Sequence, residues 1–283
     1  MLQSYGDNEV LLGKWFKANP DKRDDIFLAT KFAISPKDYS ADSSPEHCKA
    51  SCNKSLERLG IKHIDLYYCH RVDQKTPIEK TVQAMAELVT EGKINYLGLS
   101  EISADTLRRA HKVHPISAVQ VEYSPFALEI ESEQINLLNT CRELGVAVVA
   151  YSPLSRGLLS GSIKSPEDLE ENDTRRFMPR FNAENFPKNM ELVQQITKIA
   201  QKENVTPSQL TLAWLLAQGD DIFPIPGTTK IARLEENVGG LKVNLTKEEE
   251  QIIRKKCDEA VVLGSRYPES MMQTLYADTP LLE

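Results

Sequence analysis

The chain has 283 residues, 41% of them hydrophobic and 27% charged, with a formal net charge of -7. That size and apolar content suit a globular protein with a sizeable core, built as one large α/β domain or two small ones, and the acidic balance argues against a nucleic-acid binder. No apolar run approaches the roughly 18 residues that a membrane span needs, the N-terminal Met-Leu-Gln-Ser-Tyr-Gly-Asp-Asn is not a secretory signal, and the C-terminal Thr-Pro-Leu-Leu-Glu matches no lipidation signal. The five scattered cysteines read as reduced thiols, which suggests a cytoplasmic protein.

In chain order, residues 8–17 read as a helix, followed by an apolar strand over 26–32. A helix over 46–59 starts on Ser44-Pro45 and puts Cys48, Cys52, Leu56 and Leu59 on one stripe. A strand at 64–69, a helix at 77–91, a strand at 95–100 and a helix at 103–113 follow, the last with Ser103 as N-cap. Next come a strand at 117–121, a helix at 131–144 ended by Gly145, and a strand at 146–151. Residues 155–187 are polar and broken by Gly and Pro, and a loop of that length inside a compact fold reads as a lid. Helices at 188–203 and 206–218, a strand at 222–226 and a closing helix at 246–260 complete the chain. The strands are apolar throughout, as buried parallel strands are, and their alternation with helices predicts right-handed crossovers. Six strands are visible, none followed by Gly-x-Gly-x-x-Gly at the start of the sheet, and an eight-stranded barrel needs two more.

Lys31 and His70 end the first two apolar strands, and a barrel collects its chemistry at one rim. Taken singly, each also fits a plain role, a snorkelling lysine or a hydrogen-bonded histidine, and Tyr5 fits a surface residue. His47-Cys48-x3-Cys52 lies on the stripe that continues into Leu56 and Leu59, so packing is preferred over a metal site, and no metal is expected.

Seven motifs in order resemble the aldo-keto reductase family, in wording most like its microbial and plant pyridoxal-reductase-type branch. They are Tyr-Gly-Asp-Asn-Glu-x-Leu-Leu-Gly-Lys (5–14), Leu-Ala-Thr-Lys-Phe (28–32), Ser-Leu-Glu-Arg-Leu-Gly-x4-Asp-Leu-Tyr-Tyr-x-His-Arg (55–71), Gly-Lys-Ile-x-Tyr-Leu-Gly-Leu-Ser-Glu (92–101), Gln-Val-Glu-Tyr-Ser-Pro (120–125), Ala-Tyr-Ser-Pro-Leu-x-Arg-Gly-Leu-Leu-Ser-Gly (150–161) and Ile-Pro-Gly-Thr-Thr-x3-Arg-Leu-x-Glu-Asn (225–237). The resemblance implies a single-domain (β/α)8 TIM barrel that binds NADPH without a Rossmann motif and reduces a small-molecule aldehyde or ketone to an alcohol. It implies Tyr5 as the proton donor, Lys31 as the cation that lowers its pKa, and His70 as the group that orients the carbonyl oxygen. For the cofactor it implies Ser100, Glu101 (where many members have Asn) and Gln120 around the nicotinamide amide and Tyr151 stacked on the ring. Ser152, Leu154, Arg156 and Gly157 are implied along the pyrophosphate. It further implies Gly227, Thr228, Thr229 and Lys230 as a helix start that binds phosphate, Arg233 beside the ribose 2′-phosphate, and Glu236 and Asn237 at the adenine.

The family also carries an Asp five residues before the Tyr, and that position falls before Met1. The chain is therefore expected to lack the first two barrel strands and first helix, and to associate through its open edges. Three readings stay open: a reductase, a catalytically weak NADPH-binding module of the channel-subunit or redox-sensor type, and a non-functional truncated copy.

Overall fold

The structure is a computed structural model that describes residues 7–35 and 38–283. Among the described residues, apolar runs form six strands, β1 (Ala29–Phe32), β2 (Ile64–Cys69), β3 (Ile94–Ser100), β4 (Ala118–Glu122), β5 (Ala147–Tyr151) and β6 (Ile222–Pro224). They line up in sequence order in one six-stranded sheet, with β1 and β6 at the two ends of that order. The pairings of β1 with β2, β2 with β3, β3 with β4 and β5 with β6 are parallel, as the strand–helix alternation requires. The register sets Lys31 opposite Tyr68, Tyr68 opposite Gly98, and Ser100 opposite Gln120.

The helices are α1 (Asp7–Ala18), α2 (Pro45–Leu59), α3 (Ile78–Thr90), α4 (Ala104–Val113), α5 (Leu137–Leu144), α6 (Phe186–Lys202), α7 (Pro207–Ala217), α8 (Ile231–Gly239), α9 (Lys247–Glu259) and the short α10 (Glu269–Met272). Most sit within two residues of the sequence expectation, and two expected boundaries are corrected. The helix expected from 131 starts at Leu137, because Asn136 holds a left-handed φ of 48° that no helix can contain. The strand expected from 26 starts at Ala29. There the Asp65 carboxylate accepts from the Leu28 amide and from Arg23, while the Leu28 carbonyl accepts from the Asp65 and Leu66 amides.

The chain falls into two compact units. The first contains Met1–Gln120, Leu137–Val146 and Thr274–Glu283. Its α2 begins with Pro45 behind the N-cap Ser44, whose hydroxyl accepts from the His47 amide, and ends at Gly60 in the left-handed conformation. Cys48 and Cys52 face inward from α2 and are fully buried, in keeping with the packing role read from their stripe. α1 lies so close to the end of α2 that a Cβ on Gly13 would stand 2.2 Å from the Arg58 carbonyl oxygen. The buried Glu9 carboxylate fastens α1, accepting from Thr30 Oγ1 at 2.6 Å and from Arg58 at 3.2 Å. Within the sheet, Gly98 leaves room for the Tyr68 ring, which a Cβ there would approach to 2.4 Å. The C-terminal segment is held by a bridge between Ile102 and Ala277 and by Arg109, which pairs with Glu79 and donates to the Thr279 and Pro280 carbonyls.

The second unit contains Val121–Asn136 and Ala147–Gln273. α7 begins with a capping box, Thr206 and Gln209 each accepting from the other's amide, and packs the fully buried Trp214 inside. The long segment after β5 is a series of 3-10 turns at Ser155–Ser160, Pro166–Asp168, Thr174–Phe177 and Pro179–Phe181. It is tied down at its far end. The buried Arg180 guanidinium lies 3.4 Å from the Glu122 carboxylate, which Arg266 approaches to 3.7 Å, and Asn189 donates to the Arg180 and Leu263 carbonyls.

Candidate active site and cofactor residues

In the first unit, parallel pairing brings the ends of β1, β2, β3 and β4 to one rim, and with them four expected site residues. Lys31 is half-buried on β1 and donates from Nζ to Gln120 Oε1 at 3.4 Å. Burial lowers its amine pKa, and the positive Arg71 lowers it further. Among the described residues its amine has no carboxylate partner. His70 follows β2, anchored by its amide donating to the Phe32 carbonyl at 3.0 Å. Burial first, then Arg71 and Lys31, push its imidazole down to about 3. It is therefore neutral at physiological pH and presents one N–H and one lone pair.

Ser100 and Gln120 are buried on adjoining strands, and Glu101, also buried, donates its amide to the Gln120 carbonyl at 3.1 Å. Glu101 holds a left-handed φ of 51°, a conformation that costs roughly 1 kcal/mol or more in a non-glycine residue and gathers at functional sites. Arg71 is a residue that the sequence reading did not single out. Its Nη1 donates to the His70 carbonyl at 2.7 Å and to Ser100 Oγ at 3.1 Å. Its position directly after His70 was the available signal. Tyr5 lies outside the described residues.

In the second unit, the loop leaving β5 holds Ser152, Ser155 and Arg156 with φ of 49°, 48° and 56°, and Gly157 with φ of 99°. Four left-handed positions in six residues make a tight coil, closed by the Gly157 amide donating to the Leu154 carbonyl at 2.9 Å. The Arg156 guanidinium lies over the Tyr267 ring, 4.5 Å from its centre, and donates to Met178 Sδ at 3.4 Å. Among the described residues it has no carboxylate partner, so its charge is held by a ring and a sulfur alone. Tyr151 Oη lies 3.3 Å from Tyr267 Oη. Tyr267 was missed from sequence, since contacts more than a hundred residues along the chain leave no local signal.

The helix start expected to bind phosphate is shifted from its expected place. Gly227, Thr228 and Thr229 are loop, Lys230 is the N-cap and α8 begins at Ile231. Thr228 Oγ1 accepts from the Lys230 amide at 3.1 Å, holding the loop against the helix. A Cβ on Gly227 would meet nothing, so this stretch is open. Lys230 is exposed and without a carboxylate partner among the described residues, whereas Arg233 pairs with Glu236 at 2.5 Å, one turn along. Asn237 is buried. Two cations, Lys230 and Arg233, and an exposed helix start form a donor set suited to phosphate oxygens.

Comparison with known proteins agrees with this arrangement. The model of the Aldo/keto reductase family matches residues 3–258. The aldo-keto reductase str7 of Strobilurus tenacellus is 58% identical over 278 residues, 98% of this chain and 81% of that protein. The aldo-keto reductase yakc of Schizosaccharomyces pombe, whose name carries NADP(+), is 51% identical over 283 residues, 99% of this chain and 83% of its own length. Among solved structures, the glycerol dehydrogenase AKR11B4 from Gluconobacter oxydans superposes with a TM-score of 0.80 at 26% identity, covering 89% of this chain and 77% of that one. The thermostable aldo-keto reductase Tm1743 gives 0.70 at 28% identity, covering 89% and 78%. The family match runs over nearly the whole chain and lends no support to the expected truncation. The fold is the α/β fold of these TIM-barrel neighbours, and the chain belongs to the aldo/keto reductase family of oxidoreductases.

Proposed function

We propose that the protein reduces an aldehyde or ketone to an alcohol with NADPH, using Tyr5 as the proton donor. The observation that carries this reading is the pairing of a half-buried Lys31, without a carboxylate partner among the described residues, with a neutral His70 at neighbouring strand ends. A neutral imidazole can donate a hydrogen bond to a carbonyl oxygen without giving up its proton. A nearby ammonium favours the ionised form of a phenol, which brings a tyrosine within reach of proton transfer near neutral pH. When bound, the nicotinamide cofactor supplies the hydride that reaches the carbonyl carbon. Ser100 accepts from Arg71 and so keeps its own hydroxyl proton to donate to the carboxamide, with Gln120 beside it.

The remaining cofactor residues divide by chemistry. Tyr151 offers a ring face to the nicotinamide. The coiled loop of Ser152, Leu154, Arg156 and Gly157 offers a guanidinium and close backbone approach to the pyrophosphate. Gly227, Thr228, Thr229, Lys230 and Arg233 address the adenosine phosphate, with Glu236 and Asn237 toward the base. A relative named for NADP(+) supports the phosphorylated cofactor. The weakly catalytic NADPH-binding module is the second reading, favoured by the absence of a carboxylate beside Lys31 among the described residues. Measuring NADPH binding by fluorescence alongside turnover on a panel of aldehydes separates the two. Binding with turnover supports the reductase, binding with none supports the module, and failure to bind NADPH removes both.

A further inference from the structure

Arg71 stands at the rim beside the two groups that would hold a carbonyl. Among the described residues it makes its side-chain hydrogen bonds through Nη1, to the His70 carbonyl and to Ser100 Oγ. Those two anchors come from the ends of β2 and β3 and fix the guanidinium plane. Its Nε and Nη2 edge has no partner among the described residues, and no carboxylate there neutralises its charge. That edge carries two parallel N–H groups, the fork that matches a carboxylate in a bidentate pair. The nearest acidic residue along the chain, Asp73, is occupied elsewhere. It accepts from the amides of Ser43, Lys75 and Thr76 and from the Thr76 hydroxyl. Arg71 is half-buried, and its charge is felt by both Lys31 and His70.

Arg71 is not among the residues with a buried polar atom left unsatisfied, so the unused fork is open to solvent and to an arriving anion. We propose that Arg71 is a specificity-determining residue that docks a carboxylate carried next to the substrate's carbonyl, so that 2-oxo acids are preferred over neutral ketones of the same shape. The proposal rests on the reductase reading of the site and names its substrate class. The Arg71 guanidinium is anchored on Ser100 Oγ and the His70 carbonyl, which sets its free edge at the rim where His70 would hold the carbonyl oxygen and a neighbouring carboxylate would arrive. The reduction is the same for acid and ester. Hydride adds to the carbonyl carbon, the C=O π bond opens, the oxygen takes a proton, and NADPH leaves as NADP+.

The test compares 2-oxo-2-phenylacetate with its methyl ester, which has the same ketone and no charge, and measures kcat/KM for each with NADPH. The expected acid-to-ester ratio is about ten or more, in line with a charge-assisted bidentate contact. In Arg71→Gln that ratio falls toward one, and Arg71→Lys restores part of it. A second readout needs no turnover: benzoate, which cannot be reduced, binds the NADPH-loaded wild-type protein by calorimetry and binds Arg71→Gln about tenfold or more weakly. A wild-type ratio near one, or an Arg71→Gln protein that loses acid and ester reduction equally, overturns the proposal and leaves Arg71 as a positioning residue for His70 and Ser100. If neither ketone is reduced, the reductase reading falls, while benzoate binding still decides whether Arg71 receives a carboxylate.

Discussion

The Lys31 ammonium donates to the Gln120 side-chain carbonyl across 3.4 Å, joining the first described strand to the fourth. An amide oxygen is a weak partner for a buried cation, and burial together with Arg71 draws the lysine's pKa down. The charge on Lys31 is therefore available to a phenolate or a polarised carbonyl instead of being spent on a carboxylate.

On the proposed reading, replacing that amine removes a contribution to the transition state and leaves the cofactor contacts in place. Lys31→Met and Tyr5→Phe are each expected to lower kcat for carbonyl reduction by orders of magnitude with NADPH affinity within a few-fold of wild type. Steady-state kinetics with parallel fluorescence titration reads both quantities. Near-normal turnover by Tyr5→Phe would remove it as the acid.

On the proposed reading, Lys230 and Arg233 set cofactor choice. Arg233 is paired with Glu236, so it must share or release that carboxylate to reach a 2′-phosphate. Arg233→Gln is expected to weaken NADPH by about tenfold or more, the scale of one charge-assisted contact, with NADH little changed. Glu236→Gln should leave Arg233 unpaired and tighten NADPH or leave it unaltered. Equal losses for both dinucleotides in Arg233→Gln would mean that it does not read the phosphate.

The imidazole of His70 gives a pH prediction. Folding lowers its pKa from 6.5 to about 3, so the unfolded chain takes up this proton first as pH falls. Stability linked to His70 is full above 6.5 and is lost progressively as pH drops from there toward 3. Lys31 shifts in the same sense at higher pH, its contribution being full above 10.5 and declining as pH falls through the lowered folded value. Thermal midpoints at about pH 7 and pH 5 should fall further apart for wild type than for His70→Gln. A neutral His70 also predicts no inflection in kcat/KM near 6.5. A step there that vanishes in His70→Gln would show that the imidazole titrates in the working range.

A structural prediction concerns α1. Gly13→Ala would place its methyl 2.2 Å from the Arg58 carbonyl, against backbone that cannot move aside without shifting a whole helix. Overpacking of this kind costs about 1–3 kcal/mol, read by urea denaturation. An unchanged midpoint would mean that α1 shifts off α2 without loss.

Strand order and helix periodicity were legible because buried parallel strands need continuous apolar runs and the helices carry their own caps. Ser44-Pro45 and Thr206-Pro207 mark two starts that the structure keeps at Pro45 and Pro207. The helix expected from 131 starts late because Asn136 takes a left-handed φ of 48°, a backbone choice that the apolar pattern of the segment does not record. Of the site, Lys31 and His70 could be placed from strand ends, since a parallel sheet gathers those ends at one rim, whereas Ser100 and Gln120 came only from the family resemblance. The Arg156–Tyr267 contact and the unused Arg71 fork could not, because each depends on where a long side chain goes rather than on spacing.

The account's central claim is hydride transfer from NADPH to a carbonyl carbon. It is tested most directly by incubating the protein with an aldehyde and NADPH deuterated at both nicotinamide C4 positions, then analysing the alcohol by mass spectrometry. The account predicts one deuterium on the carbinol carbon, formed in step with NADPH consumption and lost in Lys31→Met. Tight NADPH binding with no deuterated alcohol from any of a broad set of aldehydes and ketones would contradict it.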